Sequence, residues 1–325
     1  MNPTERRAGG LLSIVVPAMN EADNIPALLR AVSAALAPQK IPYELILVDD
    51  GSADQTWQVI CAAAAADGRV RGLKLSRNFG KEGAMFAGIE DARGDCCVIS
   101  DADLQFPPAT IAEMYAVWQS GEADIVEAKK RTRGKEGLVY KLFTKAFYGL
   151  LRAMSGYDLN NASDFKLMDR RVVETLKTMP ERQTFFRGMS SWVGYRTETV
   201  LFDVAQRNAG KSKFSPKKLV RMALSSIASF TSAPLQFITG TGVVCALLSV
   251  ALGLFTIFHT FAREGVEMLC AGLSVVGFLL SLIMAALGIL GYYAARIYEE
   301  LKNRPRYIVS ARTASGDHAP QAAKE

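Results

Sequence analysis

Cys96-Cys97-Val98-Ile99-Ser100-Asp101-Ala102-Asp103-Leu104-Gln105 decides how this chain is read. Its apolar first half reads as a short buried strand, and its second half as the turn where that strand reaches the surface. The turn carries two carboxylates one residue apart, a spacing that lets both face one hard divalent cation. Mg²⁺ and Mn²⁺ take oxygen ligands and are commonly held by one or two carboxylates plus substrate phosphates. A lone Asp-x-Asp is a weak signal, since most such pairs are solvated surface turns, so its meaning depends on what lies around it.

Working outward, the same pattern recurs. Leu11-Leu12-Ser13-Ile14-Val15-Val16-Pro17 is a continuous β-branched run and reads as a central parallel strand. Residues 24–36 have helical spacing, with Pro26 early in the helix. Tyr43 to Val48 is a second strand, closed by Asp49-Asp50-Gly51-Ser52; residues 55–66 are helical, 70–75 a third strand, and 83–93 a helix that leads into 96–100. Strands alternating with helices predict an α/β fold whose mostly parallel sheet is covered on both faces. Ligands of such sheets sit beyond the C-terminal strand ends. Residues 17–21, 49–52, 77–81 and 101–105 should therefore share one edge.

The chain has 325 residues and a formal charge of +6. No basic stretch is interleaved with aromatics, so nucleic acid is not expected as a partner. The five cysteines form no C-x-x-C pair and there are only two histidines, which argues against structural zinc and suits a reducing cytosolic face. Residues 1–10 are polar, without the apolar core of a signal peptide, and read as a flexible N-terminus. Formal charge is absent from Leu235 to Ala262 and again from Met268 to Ala295. Each run exceeds the ~20 residues that cross a bilayer as a helix. Cations crowd the outer flanks (Lys211, Lys213, Lys217, Lys218 and Arg221 on one side; Arg296, Lys302, Arg304 and Arg306 on the other), while the link at 263–267 holds one. The positive-inside rule then predicts a two-helix transmembrane hairpin over 234–295, with both termini and the preceding domain cytoplasmic in a multi-pass membrane protein. An interfacial amphipathic helix is expected over 216–233 and a juxtamembrane helix over 296–310, and residues 311–325 read as a disordered tail.

The polar strand ends, taken together, resemble glycosyltransferase family 2, and within it the polyprenyl-phosphate branch of bactoprenol glucosyltransferases and dolichol-phosphate mannose synthases. The resemblance rests on Val15-Val16-Pro17-Ala18-Met19-Asn20-Glu21, Val48-Asp49-Asp50-Gly51-Ser52, Ser76-Arg77-Asn78-Phe79-Gly80-Lys81 and Asp101 to Pro108. It continues through residues 163–170, Phe186-Arg187-Gly188, Trp192 to Tyr195 and Arg207 to Lys213, and covers roughly residues 11 to 309. Two departures stand out: Met19 replaces a frequent aromatic, and Ser163 replaces a glycine.

The resemblance implies a GT-A catalytic domain over 11–215, with Mg²⁺ or Mn²⁺ as cofactor, a nucleotide-diphosphate sugar as donor, and a polyprenyl phosphate such as undecaprenyl phosphate as acceptor. It further implies that Pro17, Met19, Glu21, Val48 and Asp50 line the nucleoside pocket, with Lys81, Asp101, Ala102, Asp103 and Gln105 around the diphosphate. Asp101, Asp103 and Gln105 would hold the metal. Asp103, Asp164 and Arg131 are the expected catalytic residues, with Asp164 either base or orienter of the acceptor. Arg131, Arg133, Lys141, Thr144, Arg207 and Lys213 are expected to meet the acceptor phosphate or the pyrophosphate, since guanidinium groups bind phosphate through paired hydrogen bonds. Asp169, beside Arg170 and Arg171, reads as structural.

The expected reaction is inverting transfer of a hexose from a donor such as UDP-glucose to the lipid at the cytosolic face of a bacterial inner membrane. Two alternatives stand beside it. A processive polysaccharide synthase would carry Gln-x-x-Arg-Trp, which is absent here. A noncatalytic membrane adaptor would not need Asp101, Asp103, Gln105 and Arg207 intact. A dehydrogenase is disfavoured, because no G-x-G-x-x-G follows the first strand. The hairpin could also pack with copies of itself in a homo-oligomer.

Overall fold

The structure is a computed structural model. It describes residues 9–131, 163–181, 185–203, 240–245, 247–248, 251 and 266–313. Two compact units are present, one of residues 1–214 with 305–325 and one of 215–304.

The first unit is built on a mixed sheet of eight strands: β1 Leu12–Ala18, β2 Tyr43–Asp49, β3 Val70–Leu75, β4 Cys96–Ile99, β5 Ile125–Lys130, β6 Lys166–Asp169, β7 Thr197–Phe202 and β8 Val309–Arg312. Their order is β7-β5-β6-β4-β1-β2-β3-β8. The four strands β3-β2-β1-β4 are mutually parallel, as their apolar runs predict. They are unbroken hydrophobic segments because both faces are covered: β2 is buried along its whole length. The helices are α1 Ile25–Leu36, α2 Thr56–Ala66, α3 Lys81–Asp91, α4 Pro108–Gln119, α5 Arg170–Thr178 and α6 Phe186–Trp192. One core cluster joins Leu12, Ile14 and Val16 to α1 and α4, and another joins Val15, Ile46 and Val48 to α3 and α5. Alternate residues of one strand thus feed opposite layers. Gly88 lets α3 lie against the sheet, since a Cβ there would come within 2.3 Å of Val15 Cγ1.

β6 runs antiparallel to both β4 and β5, and β7 runs parallel to β5. The C-terminal ends of β1 to β5 and β7 therefore lie on one edge, together with the start of β6. Asp169 caps α5, accepting from Arg171 N and, at 3.0 Å, from Trp118 Nε1, which fits the structural role expected of it.

Two expectations near the C-terminus change. No juxtamembrane helix spans 296–310: the helix α7, Val266–Leu301, ends at Leu301, and the chain then returns as β8. Residues 311–313, expected in a disordered tail, are the end of that strand and its continuation, with Thr313 N donating to Gly72 O at 3.0 Å. A short strand gains its hydrogen bonds from β3, a partner more than 230 residues away in sequence that local patterning cannot reveal. The rest of the expected tail, 314–325, lies outside the described residues, as does the expected interfacial helix over 216–233.

In the second unit one helical stretch among the described residues, Val275–Ala295 within α7, is long and apolar enough to cross a membrane, with a mean hydropathy of 2.3. Most of the first expected span lies outside the described residues, although 240–245 are helical. The expected two-helix hairpin is thus not confirmed: one candidate span is present among the described residues.

Candidate active site

The four polar strand ends are stitched to one another. Asp50 N donates to Ala18 O at 2.9 Å, Asn20 N to Ser52 Oγ at 2.9 Å, and Ala53 N to Asn20 Oδ1 at 2.9 Å. Glu21 N reaches Thr56 Oγ1 at 2.9 Å, tying the first turn to α2. Asp50 is almost fully buried and takes Phe79 N on Oδ1 at 2.7 Å and Gly80 N on Oδ2 at 3.0 Å. Burial pushes its pKa up, against the opposing effect of those two amides. Its first role is thus to brace the 76–80 loop. Gly51 makes that close approach possible: its φ is +71°, and a Cβ would lie 2.6 Å from the backbone of Arg77 and Asn78.

Lys81, the first residue of α3, joins the two halves of the edge. Its Nζ lies 2.7 Å from Asp101 Oδ1 and 3.1 Å from Asp164 Oδ2. Arg187 completes the cluster from α6, with Nε 2.7 Å from Asp164 Oδ1 and a terminal nitrogen 3.1 Å from Oδ2, a two-bonded fork. Burial would raise the Asp164 carboxyl, but Lys81 and Arg187 hold it well below the usual carboxylate range. Burial likewise opposes the Lys81 charge, and Asp101 and Asp164 outweigh it, so the ammonium sits above the ordinary lysine range. Asp164 is therefore held in its ionised form, an arrangement suited to fixing the two cations rather than to holding a proton.

Next to Lys81, burial pushes Glu82 up to about 7, while the amide of Phe186, donating at 2.8 Å, works against it. This bond fastens the start of α6 to α3. A second fastening is apolar: Phe106, just past the Asp101–Gln105 turn, stacks on Phe165 at 4.7 Å between centroids, and both meet Phe202 edge-on. The carboxylate turn and Asp164 are thus set by adjacent aromatic rings.

Within the turn, Leu104 has a φ of +59° and Asp103 Oδ1 accepts Gln105 N at 3.1 Å. A leucine in the left-handed region is uncommon and costs about 1–2 kcal/mol; such outliers collect at functional sites. The donors of Asp101, Asp103 and Gln105 are hard oxygens at a partly exposed turn, a set that fits Mg²⁺ or Mn²⁺. No group of three His, Cys, Asp or Glu converges among the described residues, so a cation there would need oxygens from water or substrate phosphates.

The remaining expected residues divide three ways. Pro17, Met19 and Glu21 lie at the edge, Met19 being 43% exposed with its sulfur 2.9 Å from Asn78 Nδ2. Val48 and Ala102 lie there too, but their side chains are packed into the two core clusters, so they can meet a ligand only through backbone. Arg131 follows β5 on the same edge and is exposed. Arg133, Lys141, Thr144, Arg207 and Lys213 lie outside the described residues. Arg187, Glu82 and Phe106 were not among the expected site residues. The Phe186-Arg187-Gly188 motif was the signal for Arg187, but nothing local says that it faces Asp164.

A mostly parallel α/β sheet with a carboxylate turn at the shared edge of its strands defines a class, the GT-A-like fold of glycosyltransferases. The chain belongs to the family described as glycosyl transferase family 2, whose model matches residues 13–177. It is 41% identical over 302 residues to an uncharacterised glycosyltransferase of Synechocystis sp., covering 92% of this chain and 94% of that one. It is 39% identical over 303 residues to the SfII prophage-derived bactoprenol glucosyl transferase of Shigella flexneri, covering 92% of this chain and 97% of the relative. Among solved structures, glucosyl-3-phosphoglycerate synthase from Mycobacterium tuberculosis is similar over 68% of this chain and 79% of that chain, at 22% identity and a TM-score of 0.47.

Proposed function

We propose that this protein is an inverting, divalent-metal-dependent hexosyltransferase that moves a hexose, from UDP-glucose or a similar donor, onto a polyprenyl phosphate at the cytosolic face of the membrane. The observation that carries the reading is the Lys81 ammonium set between Asp101, on the donor turn, and Asp164, on the acceptor side. One cation shared by these two carboxylates ties the turn proposed for the diphosphate to the side proposed for the acceptor, which supports the reading. The name of the Shigella flexneri relative, similar over nearly its whole length, supports a bactoprenol-type lipid and glucose. The apolar stretch Val275–Ala295 supports membrane attachment, and the uncharged run before it supports a hairpin with both ends cytoplasmic.

In this reading Pro17, Met19, Glu21 and Asp50 border the nucleoside, and Asp101, Asp103 and Gln105 hold the cation and diphosphate. A bound Mg²⁺ or Mn²⁺ would neutralise the charge that builds on the leaving diphosphate. Arg131, with Arg133, Lys141, Thr144, Arg207 and Lys213, receives the lipid phosphate. A phosphate monoester with its second pKa near ~6 is mostly dianionic at neutral pH. Its oxygen attacks the anomeric carbon as the bond to the nucleotide diphosphate breaks on the opposite face, and no proton need be removed. That chemistry suits Asp164, which is held ionised and bound to two cations: it orients Lys81 and Arg187 rather than acting as a base.

Incubating the purified full chain with polyprenyl phosphate, Mg²⁺ or Mn²⁺ and labelled nucleotide sugars tests the proposal. Label in the extracted lipid, with UDP-glucose the best donor, is expected. Lipid left unlabelled by every donor would refute it.

A further inference from the structure

Behind the site lies a buried ion pair that the proposed chemistry does not use. Glu127 and Lys166 are direct cross-strand partners of the β5–β6 ladder, exposed by only 6% and 2%. They form its last rung before the turn that carries Asp164. Glu127 Oε1 accepts Ser163 N at 2.9 Å and faces Lys166 Nζ at 3.4 Å, while Oε2 faces Lys129 at 3.2 Å. The Glu127 carboxylate thus grips the chain on both sides of Asp164. Lys166 Nζ also donates to Ser190 Oγ at 2.8 Å, and Ser190 Oγ donates to Arg187 O at 3.2 Å. One short path therefore runs from the Asp164 turn to the backbone of the arginine that grips Asp164. On the other face of the sheet, Phe165 locks the same turn against Phe106.

We propose that Glu127 and Lys166 are a positioning pair for the transfer reaction, setting Asp164 and Arg187 in register from behind the site. This inference rests on the transferase reading above. Replacing a buried ion pair by apolar residues of similar size is often neutral or stabilising, whereas removing one partner strands a buried charge. Stability alone is therefore a poor reason for a buried lysine at the start of a strand. What apolar residues could not supply is the direction of the bonds to Ser163 N and Ser190 Oγ. Small displacements of orienting groups are felt strongly in turnover.

The test compares the parent with the double variant Glu127→Met/Lys166→Met, and with Ser190→Ala, in the lipid transfer assay. The double variant is expected to melt within a few degrees of the parent and to keep its donor KM within about twofold, with kcat lowered at least tenfold. Ser190→Ala, which removes both bonds of the Ser190 hydroxyl and leaves the Glu127–Lys166 pair in place, should lower kcat about three- to tenfold with the same donor KM. A folded double variant that transfers at the parent's rate overturns the proposal; if that variant does not fold, Ser190→Ala at the parent's rate does so. A parent that labels no lipid would instead remove the transferase reading, and the pair's role with it.

Discussion

Arg187 and Glu82 are the residues at which the site's electrostatics can be read most directly. Truncating Arg187→Ala deletes two charge-assisted hydrogen bonds to a buried carboxylate, although the arginine side chain is 36% exposed. Discounted for that exposure, the loss is about 1–2 kcal/mol by chemical denaturation, with kcat lower by roughly ten- to hundredfold. Because Asp164 lies below its ordinary range, the stability it contributes is present above about pH 4 and is lost as pH falls through its lower folded-state value. Without Arg187 the carboxyl moves up, so the acid limb of unfolding should shift to higher pH. Glu82 has the opposite sign. Between the ordinary glutamate range and about 7, the folded chain keeps a proton that the unfolded chain has released, so stability falls as pH rises through that window. Melting curves from pH 5 to 8 should show a flatter pH dependence for Glu82→Gln than for the parent; equal slopes would remove this role for Glu82.

At the scale of elements, the strap after α7 is the least expected feature. β8 closes the β3 edge, and Ser76 N donates to Ile308 O at 2.9 Å immediately before the 77–81 loop. Arg306 bonds Met179 O and lies over the Phe86 ring, Tyr307 bonds Glu90, and Arg312 pairs with Asp91, so the strap is fixed to α3 as well. A chain ending at Arg304 should expose the β3 edge, melt several degrees lower and aggregate on warming, with weaker donor binding. A melting point equal to the parent's would contradict this. The four parallel strands were legible because each is an apolar run closed by polar residues, and their parallel pairing then dictates a shared edge. The antiparallel half was not. β6 opens on Lys166 and β5 carries Glu127, charges that break the period of a buried strand and make sense only as each other's partners. In the same way, Lys81 could be placed on the edge from its motif, but its bond to Asp164 spans 83 residues and follows from the fold.

For the whole molecule, the unit that holds the sheet both precedes and follows the second unit in sequence, and the second unit contains the candidate span. Val275–Ala295 exposes Phe278, Ile283, Met284 and Leu287 by more than half, as a lipid-facing helix would. A charge at its centre, Ile283→Arg, should weaken insertion by about 2.5–3.5 kcal/mol and move protein from the membrane to the soluble or aggregated fraction. Unchanged, carbonate-resistant membrane association would argue against this span. In the proposed reaction that attachment matters only through the acceptor, a polyprenyl phosphate that would arrive from the bilayer already charged. The Asp101–Gln105 turn is the part on which the proposed reading converges. Transfer of labelled glucose from UDP-glucose to extracted polyprenyl phosphate, measured side by side for the parent and Asp103→Ala with Mg²⁺ or Mn²⁺ present, tests it most directly. The partly exposed Asp103 should be replaceable without unfolding, so the account predicts a labelled lipid from the parent and a loss of about a hundredfold or more in the variant; equal labelling by the two proteins would contradict it.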